Sequence, residues 1–218
     1  MKETTTESTL KALKSVADFS GKSVLEVGCG EGELASQLSE ITGDIIAIDP
    51  DTDSILSARL NYPTIDFQIG NGCDLSFSNG TFDFVLFTLS LHHQDSKKAL
   101  AEAARVLKKG GSAIIVEPVI GGDVNTAFKL VHDEDAEKQA ALDSIHSSVM
   151  KVTEHKEFST DYVFDSKLDL YDTVFGYYGR DKDLKIIEQI DDFFGERINA
   201  KPLCITHLSH IYVLIKSD

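Results

Sequence analysis

The stretch Val24-Leu25-Glu26-Val27-Gly28-Cys29-Gly30-Glu31-Gly32 joins an apolar segment to three glycines in the spacing G-x-G-x-G. Glycine allows positive φ and close approach to a ligand, where any Cβ would collide, and the amides of a following helix face the same space. The segments that follow are an amphipathic helix, a second apolar strand and then an acid, Asp49, at that strand's end. This order is typical of a nucleotide-type cofactor site.

The spacing of the glycines distinguishes between classes of cofactor. The dinucleotide fingerprint is G-x-G-x-x-G, whose third glycine packs a helix against the strand. Here Glu33 holds that position and the third glycine comes one residue earlier, at Gly32. Glu26 stands two residues before the first glycine, where a carboxylate would repel a pyrophosphate and attract the amino group of a methionine moiety. An NAD-dependent oxidoreductase is therefore disfavoured, also because the hydride-transfer residues are missing.

Five blocks of sequence carry a resemblance to a known family. They are residues 24–32, 45–50, 67–77, 82–93 and 107–118, and together they cover roughly residues 20 to 120. In these blocks the chain resembles the class I S-adenosylmethionine-dependent methyltransferases, in particular the small-molecule methyltransferases of bacteria and archaea. The resemblance implies a single class I methyltransferase domain over residues 1–218, S-adenosylmethionine as cofactor, and a substrate-covering insertion over residues 119–180.

Hydrophobic periodicity predicts alternating strands and helices. The predicted strands are 23–27, 45–48, 64–69, 82–88, 112–116, 158–164 and 203–215, the last with a hairpin broken near 207–210 as the alternative. The predicted helices are 8–19 with Ser8 as cap, 31–41, one ending before Tyr62-Pro63, 96–108 closed by Gly110-Gly111, and 166–178, with helical character over 119–157. Such alternation implies an α/β fold with a mostly parallel sheet and helices on both faces. Together with the resemblance, it predicts a Rossmann-like, doubly wound, seven-stranded sheet with an antiparallel last strand.

Composition and charge bound the class of protein. The chain has 218 residues, 42% of them hydrophobic, which suits one sizeable core and is short for two domains. A run of roughly 18 apolar residues and a charged-then-apolar leader are both missing, so we expect neither a membrane span nor a signal peptide and take the location as cytoplasmic. The formal net charge of −15 without a basic stripe disfavours a nucleic-acid partner. The three cysteines lack C-x-x-C spacing, which indicates free thiols and no zinc knuckle.

Candidate cofactor residues follow from a rule of sheet architecture. Ligands of such sheets lie outside the carboxyl ends of the strands, at the switch point of strand order. The residues that this rule and the resemblance select are Glu26, Gly28, Cys29, Gly30, Gly32, Asp49, Pro50, Asn71, Gly72, Thr88 and Leu89.

Each polar member of this set has a structural alternative. The resemblance implies that Asp49 accepts hydrogen bonds from both ribose hydroxyls, although Asp49 could instead only cap the next helix. Glu26 is a structural partner of the glycine loop, a contact to the methionine end of the cofactor, or both. Asn71 stands where many relatives have an aspartate that binds the adenine amino group, and its amide can both accept and donate.

His92 and His93 are the candidate catalytic residues, because histidine titrates near neutral pH and can act as a general base. If the chain continues extended from strand four, adjacent side chains point to opposite faces and only one can face the cofactor, so a joint metal site is not expected. A histidine that only shapes the pocket is the alternative. The acidic run Asp133-Glu134-Asp135 is expected to be a solvated surface rather than a metal site, because consecutive carboxylates on a helix do not share one face.

Two functional hypotheses follow. The first is methyl transfer from S-adenosylmethionine to a small-molecule acceptor by in-line displacement, in which positioning does most of the work. The second is a catalytically inactive S-adenosylmethionine-binding protein that acts through regulation or association. The sequence does not identify the acceptor atom, because oxygen, nitrogen, sulfur and carbon acceptors all occur on this fold.

Overall fold

A seven-stranded sheet forms the centre of the computed structural model, which describes residues 5–216. Its strands are β1 (Ser23–Val27), β2 (Asp44–Asp49), β3 (Asp66–Ile69), β4 (Phe82–Thr88), β5 (Leu107–Pro118), β6 (Lys151–Phe164) and β7 (Leu203–Ile215). Their order across the sheet is β3-β2-β1-β4-β5-β7-β6. The pairs among β1 to β5 are parallel, whereas β7 is antiparallel to both of its neighbours. This architecture confirms the predicted fold class.

Helices cover both faces of the sheet. They are α1 (Thr5–Lys14), α2 (Glu33–Ser39), α3 (Thr52–Asn61), α4 (Ser96–Val106), α5 (Gly122–Val131), α6 (Asp135–His146), α7 (Lys167–Tyr177) and α8 (Leu184–Phe194), with 3₁₀ turns at Leu91–His93 and Gly195–Asn199. One apolar layer packs α4 and α6 against the sheet, and the other packs α1, α2 and α3. Within residues 5–216, none of these helices has the length and apolar character required to cross a bilayer.

The alternation of side chains along β1 explains why the two layers are separate. Leu25 and Val27 belong to the layer under α4 and α6, whereas Val24 belongs to the layer under α1 to α3. Successive side chains of a strand point to opposite faces, so Glu26 points to the same face as Val24. Because β1 is paired on both sides, by β2 and β4, the Glu26 carboxyl is buried at the centre of the sheet, 1% exposed.

Strands β6 and β7 extend beyond the rest of the sheet as a two-stranded ribbon. β7 pairs with β5 only from Ser209 to Ile215, but it pairs with β6 along its whole length from Leu203. A third apolar cluster, made by α5, α7 and α8, packs on the free part of the ribbon, where Phe164 and Ile205 are buried. The final strand is continuous, so the hairpin alternative is wrong.

Several predicted boundaries are wrong. The helix predicted to run to residue 108 ends at Val106, and β5 begins at Leu107 and continues through Gly110 and Gly111, with a register shift opposite Phe82 and Phe84. The segment 119–157 is helical only to residue 146, because β6 begins at Lys151.

The helices predicted near the two ends of the chain also differ from the observed ones. The first helix contains Ser8 rather than being capped by it and ends at Lys14 rather than residue 19, and α8 was not predicted. Residues 1–4 and 217–218 of the expected domain lie outside the described residues.

Gly32 connects the glycine loop to α2, and its lack of a side chain is a packing requirement. Its φ is +83°, and an added Cβ would lie 2.4 Å from the Phe67 ring and 3.1 Å from Ala58 Cβ. Gly80 has a similar φ of +70°, but a Cβ there would meet nothing within 4 Å. The two glycines therefore separate the steric effect of a methyl group from the effect of backbone conformation.

We predict that Gly32→Ala lowers the free energy of unfolding by about 1–3 kcal/mol more than Gly80→Ala does, because it adds overpacking to the left-handed backbone strain that both variants share. Urea denaturation of the two variants measures the difference. Equal losses would show that Phe67 and α3 move aside without penalty.

Candidate active site

The loops after β1 and β4 meet at the carboxyl edge of the sheet. The Gly28 and Cys29 amides donate to the Ile48 carbonyl at 2.8 and 3.1 Å, and the Ser90 hydroxyl donates to the Val27 carbonyl at 2.6 Å. A Cβ on Gly28 would lie 2.3 Å from Ser90 Cβ. Only glycine allows the two loops to approach this closely.

Two cavities flank the glycine loop. The Glu26 cavity, of about 290 Å³, is bordered among others by Glu26, Gly28, Cys29, Thr88 and Leu89. The Asp49 cavity, of about 490 Å³, is bordered among others by Gly28, Gly30, Asp49, Pro50, Asn71, Gly72 and Leu89. Gly28 and Leu89 border both cavities, so the structure brings together every predicted cofactor residue except Gly32, which packs on Phe67 instead.

Glu26 is a buried acid that is only partly satisfied. Its Oε1 accepts a hydrogen bond from the Thr88 hydroxyl at 3.1 Å, whereas its Oε2 is buried without a hydrogen-bond partner. Burial raises the pKa of Glu26 to about 8, an effect that the Thr88 hydrogen bond opposes and the nearby Asp49 reinforces. A buried polar atom without a partner is unfavourable, so this oxygen suits a cationic hydrogen-bond donor in the Glu26 cavity.

Asp49 organises the glycine loop from the end of β2. Its Oδ2 accepts from the Gly30 amide at 2.8 Å and its Oδ1 accepts from the Asp51 amide at 2.9 Å. The helix cap is Asp51, whose carboxylate accepts from the Ser54 amide, so Asp49 is not the cap of α3. Each oxygen of Asp49 retains a lone pair that can accept from a hydroxyl in the Asp49 cavity.

The segment after β3 forms the far wall of the Asp49 cavity. Asn71 Oδ1 accepts from the Cys73 amide at 2.9 Å, a local turn contact that leaves the side-chain amide nitrogen as the group available to a ligand. The Gly72 amide donates to Gln94 Oε1 at 3.0 Å, and a Cβ on Gly72 would lie 2.5 Å from that oxygen. Gln94 also borders the cavity, a role that the sequence did not reveal.

Two residues on the border have unusual properties. Leu89 has a φ of +55°, a left-handed conformation that is strained for a branched side chain, and its amide donates to the Val116 carbonyl at 2.8 Å.

Burial raises the pKa of the Cys29 thiol, so this residue is a neutral thiol and not a nucleophile. Cys29, Cys73 and Cys204 are all free, as predicted.

His92 and His93 do not continue β4 in an extended form. They lie in the 3₁₀ turn Leu91–His93, where the two rings are 4.0 Å apart, so the expectation of opposite faces is wrong. The expected extension is interrupted by Leu89, whose positive φ turns the chain. The His92 side chain is 4% exposed and the His93 side chain is 43% exposed.

The partner of His92 is Glu117, at the carboxyl end of β5. Glu117 Oε2 lies 2.5 Å from His92 Nδ1, and its Oε1 accepts from the Leu91 amide at 2.9 Å. With a proton on Nδ1, the imidazole has its lone pair on Nε2, the form required of a general base. The two residues are 25 positions apart, but an acid at a strand's carboxyl end was a signal that could have identified Glu117.

A third cavity lies beneath the helices that follow β5. This His92 cavity, of about 270 Å³, is lined by polar groups and by aromatic and aliphatic side chains. Its lining residues are Leu89, His92, Pro118, Val124, Asn125, Phe128, Glu134, Lys138, Tyr162, Thr173, Tyr177, Tyr178 and His207. Leu89 therefore borders all three cavities.

Several polar residues that line the His92 cavity are connected by hydrogen bonds and an ion pair. The buried ammonium of Lys138 donates to Asn125 Oδ1 at 2.6 Å and lies 3.7 Å from Glu134. Glu134 also accepts from the Tyr178 hydroxyl at 2.9 Å. Its side chain is only 13% exposed, so the expectation of a solvated surface is wrong for this member of the acidic run. Burial, followed by the charge of Lys138, lowers the pKa of His207 to about 4, so that ring is neutral at pH 7.

Comparisons with known proteins agree with this architecture. A family model described as a methyltransferase domain matches residues 25–115. A protein of Mycolicibacterium smegmatis named probable S-adenosylmethionine-dependent methyltransferase is 32% identical over 99 residues, which are 45% of this chain and 38% of that protein. The demethylmenaquinone methyltransferase of Renibacterium salmoninarum is 32% identical over 104 residues, 47% of this chain and 44% of that protein. The chain thus spans less than half the length of these two relatives.

Solved structures show the same fold over nearly the whole chain. The YcgJ protein from Bacillus subtilis has a TM-score of 0.67 at 20% identity and covers 97% of this chain and 99% of its own. A geranyl diphosphate methyltransferase in complex with S-adenosylmethionine has a TM-score of 0.61 at 12% identity, over 94% of this chain and 84% of its own.

Residues 25–115 therefore match a methyltransferase domain, and a relative of this chain is named for its dependence on S-adenosylmethionine. The unpaired Glu26 oxygen, the acceptor oxygens of Asp49 and the open glycine loop fit the ammonium, ribose and backbone contacts of such a molecule.

The raised pKa of Glu26 predicts a pH dependence of stability. Between about pH 4.5 and pH 8 the folded protein holds a proton that the unfolded chain releases, so the free energy of unfolding falls as pH rises through this window, by up to about 1.4 kcal/mol per pH unit from this group. Glu26→Gln, which has no ionisable group, should lose that component. Urea denaturation at several pH values measures the difference between the two proteins, and parallel curves would contradict a raised pKa.

Proposed function

We propose that this protein transfers a methyl group from S-adenosylmethionine to a small-molecule acceptor bound in the His92 cavity. The observation that carries the proposal is the position of Leu89, which borders the Glu26, Asp49 and His92 cavities together. A cofactor held along the glycine loop and an acceptor held beside His92 would meet at this residue.

Binding of the cofactor is assigned to the residues of the first two cavities. Glu26, which holds a proton below about pH 8 in the free protein, would release it and pair as a carboxylate with the ammonium of the methionine moiety. Asp49 would accept hydrogen bonds from the ribose hydroxyls. Gly28 and Gly30 would allow close approach along the loop, while Asn71, Gly72 and Pro50 would surround the adenine end. Thr88 and Cys29 complete the wall beside Glu26.

The bound cofactor supplies a methyl group already activated by its sulfonium, so the protein's task is to place an acceptor atom in line with it. His92 would accept the acceptor's proton at Nε2, and Glu117 would hold the ring through Nδ1 and stabilise the imidazolium that forms. Asn125, Lys138 and Tyr178 provide a fixed polar wall that would orient the polar group of the acceptor.

The nature of the His92 cavity supports a small acceptor. Its volume of about 270 Å³ is near the lower end of small-ligand pockets, and aromatic side chains form most of its apolar side. The net charge of −15 disfavours a nucleic acid, and demethylmenaquinone methyltransferases are among the relatives. The segment 119–180, which contains α5, α6 and α7, would cover the acceptor, because these helices contribute Asn125, Lys138 and Thr173 to the cavity.

One test of the proposed function concerns the cofactor. Calorimetric titration with S-adenosylhomocysteine should show saturable binding, and NADH should show none. Asp49→Ala should weaken this binding about 10- to 100-fold, because a charge-assisted hydrogen bond is lost. Asp51→Ala is the matched control, since it removes a neighbouring carboxylate that only caps α3. Equal affinities of the Asp49 and Asp51 variants for S-adenosylhomocysteine would show that Asp49 does not contact the cofactor. If the unaltered protein bound neither ligand, the cofactor assignment would be overturned.

Another test of the proposed function concerns the base. With an acceptor identified by screening small molecules for release of S-adenosylhomocysteine, His92→Gln should lower kcat about 10²- to 10⁴-fold and leave cofactor affinity within about twofold. His93→Gln is the matched comparison, because His93 is the adjacent histidine, borders the Asp49 cavity and has a side chain that is 43% exposed. An unchanged kcat in His92→Gln would leave positioning alone as the source of catalysis. Cofactor binding without turnover of any acceptor would favour the inactive, regulatory alternative.

A further inference from the structure

A cluster of potential metal ligands lies on the sheet outside the three cavities. It consists of His155 and Glu157 on β6 and His210 on β7. His155 and Glu157 are two positions apart on one strand, so their side chains point to the same face. His210 is the residue directly opposite Glu157 in the antiparallel ladder, which places all three on that face.

The distances between the ligand atoms match those around a single ion. His155 Nε2 lies 3.1 Å from His210 Nδ1, and His210 Nδ1 lies 3.4 Å from Glu157 Oε1. All three atoms are within 4.8 Å of one another. Zinc bonds of about 2.0–2.1 Å in tetrahedral geometry place neighbouring ligand atoms about 3.3 Å apart. Small side-chain rotations would therefore bring one Zn²⁺ into contact with all three atoms.

The surroundings hold the ligands in place and leave the site open. The His155 ring stacks on Tyr212 with centroids 4.2 Å apart and planes 5° from parallel, which fixes its orientation. β7 is paired on both sides, so the backbone of His210 is held by β5 and β6. β6 is the edge strand of the sheet, and the Glu157 side chain is 56% exposed, so an ion can enter from solvent.

We propose that His155, Glu157 and His210 form a three-ligand Zn²⁺ site, with water completing the coordination. Two imidazole nitrogens and one carboxylate oxygen are a donor set suited to zinc and to neighbouring first-row divalent ions. The site is distinct from the cofactor and acceptor cavities, and its existence does not depend on the proposed methyl transfer.

The proposed zinc site is close to a residue that holds the proposed base. His210 is the register partner of Glu117 on β5 as well as of Glu157 on β6. Glu117 is the carboxylate that holds His92, and its negative charge acts on His210. An ion bound at the cluster would thus be one strand away from the group that orients the proposed base.

The test is zinc binding by the purified full chain. Equilibrium dialysis against zinc chloride, followed by metal analysis, should give one Zn²⁺ per chain, and replacement by Co²⁺ should give visible absorption bands typical of tetrahedral nitrogen and oxygen ligation. A double variant, His155→Ala with His210→Ala, should lose the ion. The control is His132→Ala, which removes another exposed histidine, remote in sequence from the cluster, and should retain the ion.

Glu157→Gln should bind zinc at least about tenfold more weakly, because a neutral amide replaces a charged ligand and even the loss of an outer-shell partner typically costs about 10- to 100-fold in affinity. Thermal unfolding adds an independent readout, because an ion that binds only the folded state raises Tm, and it should do so in the control but not in the double variant. Comparison of Tm without metal establishes that each variant is folded. Absence of zinc from the unaltered protein, or its retention by the double variant, would overturn the proposal and leave a hydrogen bond between two imidazoles.

Discussion

The close approach of Gly28 to Ser90 is the constraint on which the rest of the site depends. A side chain at residue 28 would push apart the loops after β1 and β4. It would also break the hydrogen bond from Ser90 to Val27 that joins the two strand ends. That junction holds the neighbouring Leu89 in its left-handed conformation, and Leu89 in turn starts the 3₁₀ turn that directs His92 toward Glu117. One missing methyl group thus fixes both the wall between the cavities and the position of the proposed base.

The sequence predicts best what depends on local pattern. The bounds of β1, β4 and β7 agree with the predicted ones because each is a largely apolar strand with clear ends. The first half of the edge strand β6 was missed because its sequence has no hydrophobic alternation: Val152 is the one aliphatic residue among 151–157, and most of these residues are exposed. The members of the His92 to Glu117 pair and of the His155 to His210 pair are 25 and 55 residues apart. The 3₁₀ turn after β4 brings the first pair together, and the pairing of β6 with β7 brings the second pair together.

The fold alone does not define the reaction. Among the structures that share it is the [4+2]-cyclase SpnF, with a TM-score of 0.60 over 97% of this chain, and at 16% identity that likeness is one of architecture only. The matches to two curated relatives cover 99 and 104 residues, and the family model matches residues 25–115. The residues that line the His92 cavity come largely from beyond residue 117, where the family model does not reach. Under the proposed function, the residues that select the acceptor therefore lie largely outside the matched methyltransferase domain.

The ribbon formed by the free ends of β6 and β7 has an evolutionary consequence. It contributes Tyr162 and His207 to the lining of the His92 cavity, and it continues from the part of β7, Ser209–Ile215, that pairs with β5. A change in its length or twist would alter the width of that cavity without disturbing a hydrogen bond of the glycine loop. If the proposed function holds, substitutions in the ribbon can therefore change the acceptor while leaving the binding of the methyl donor intact.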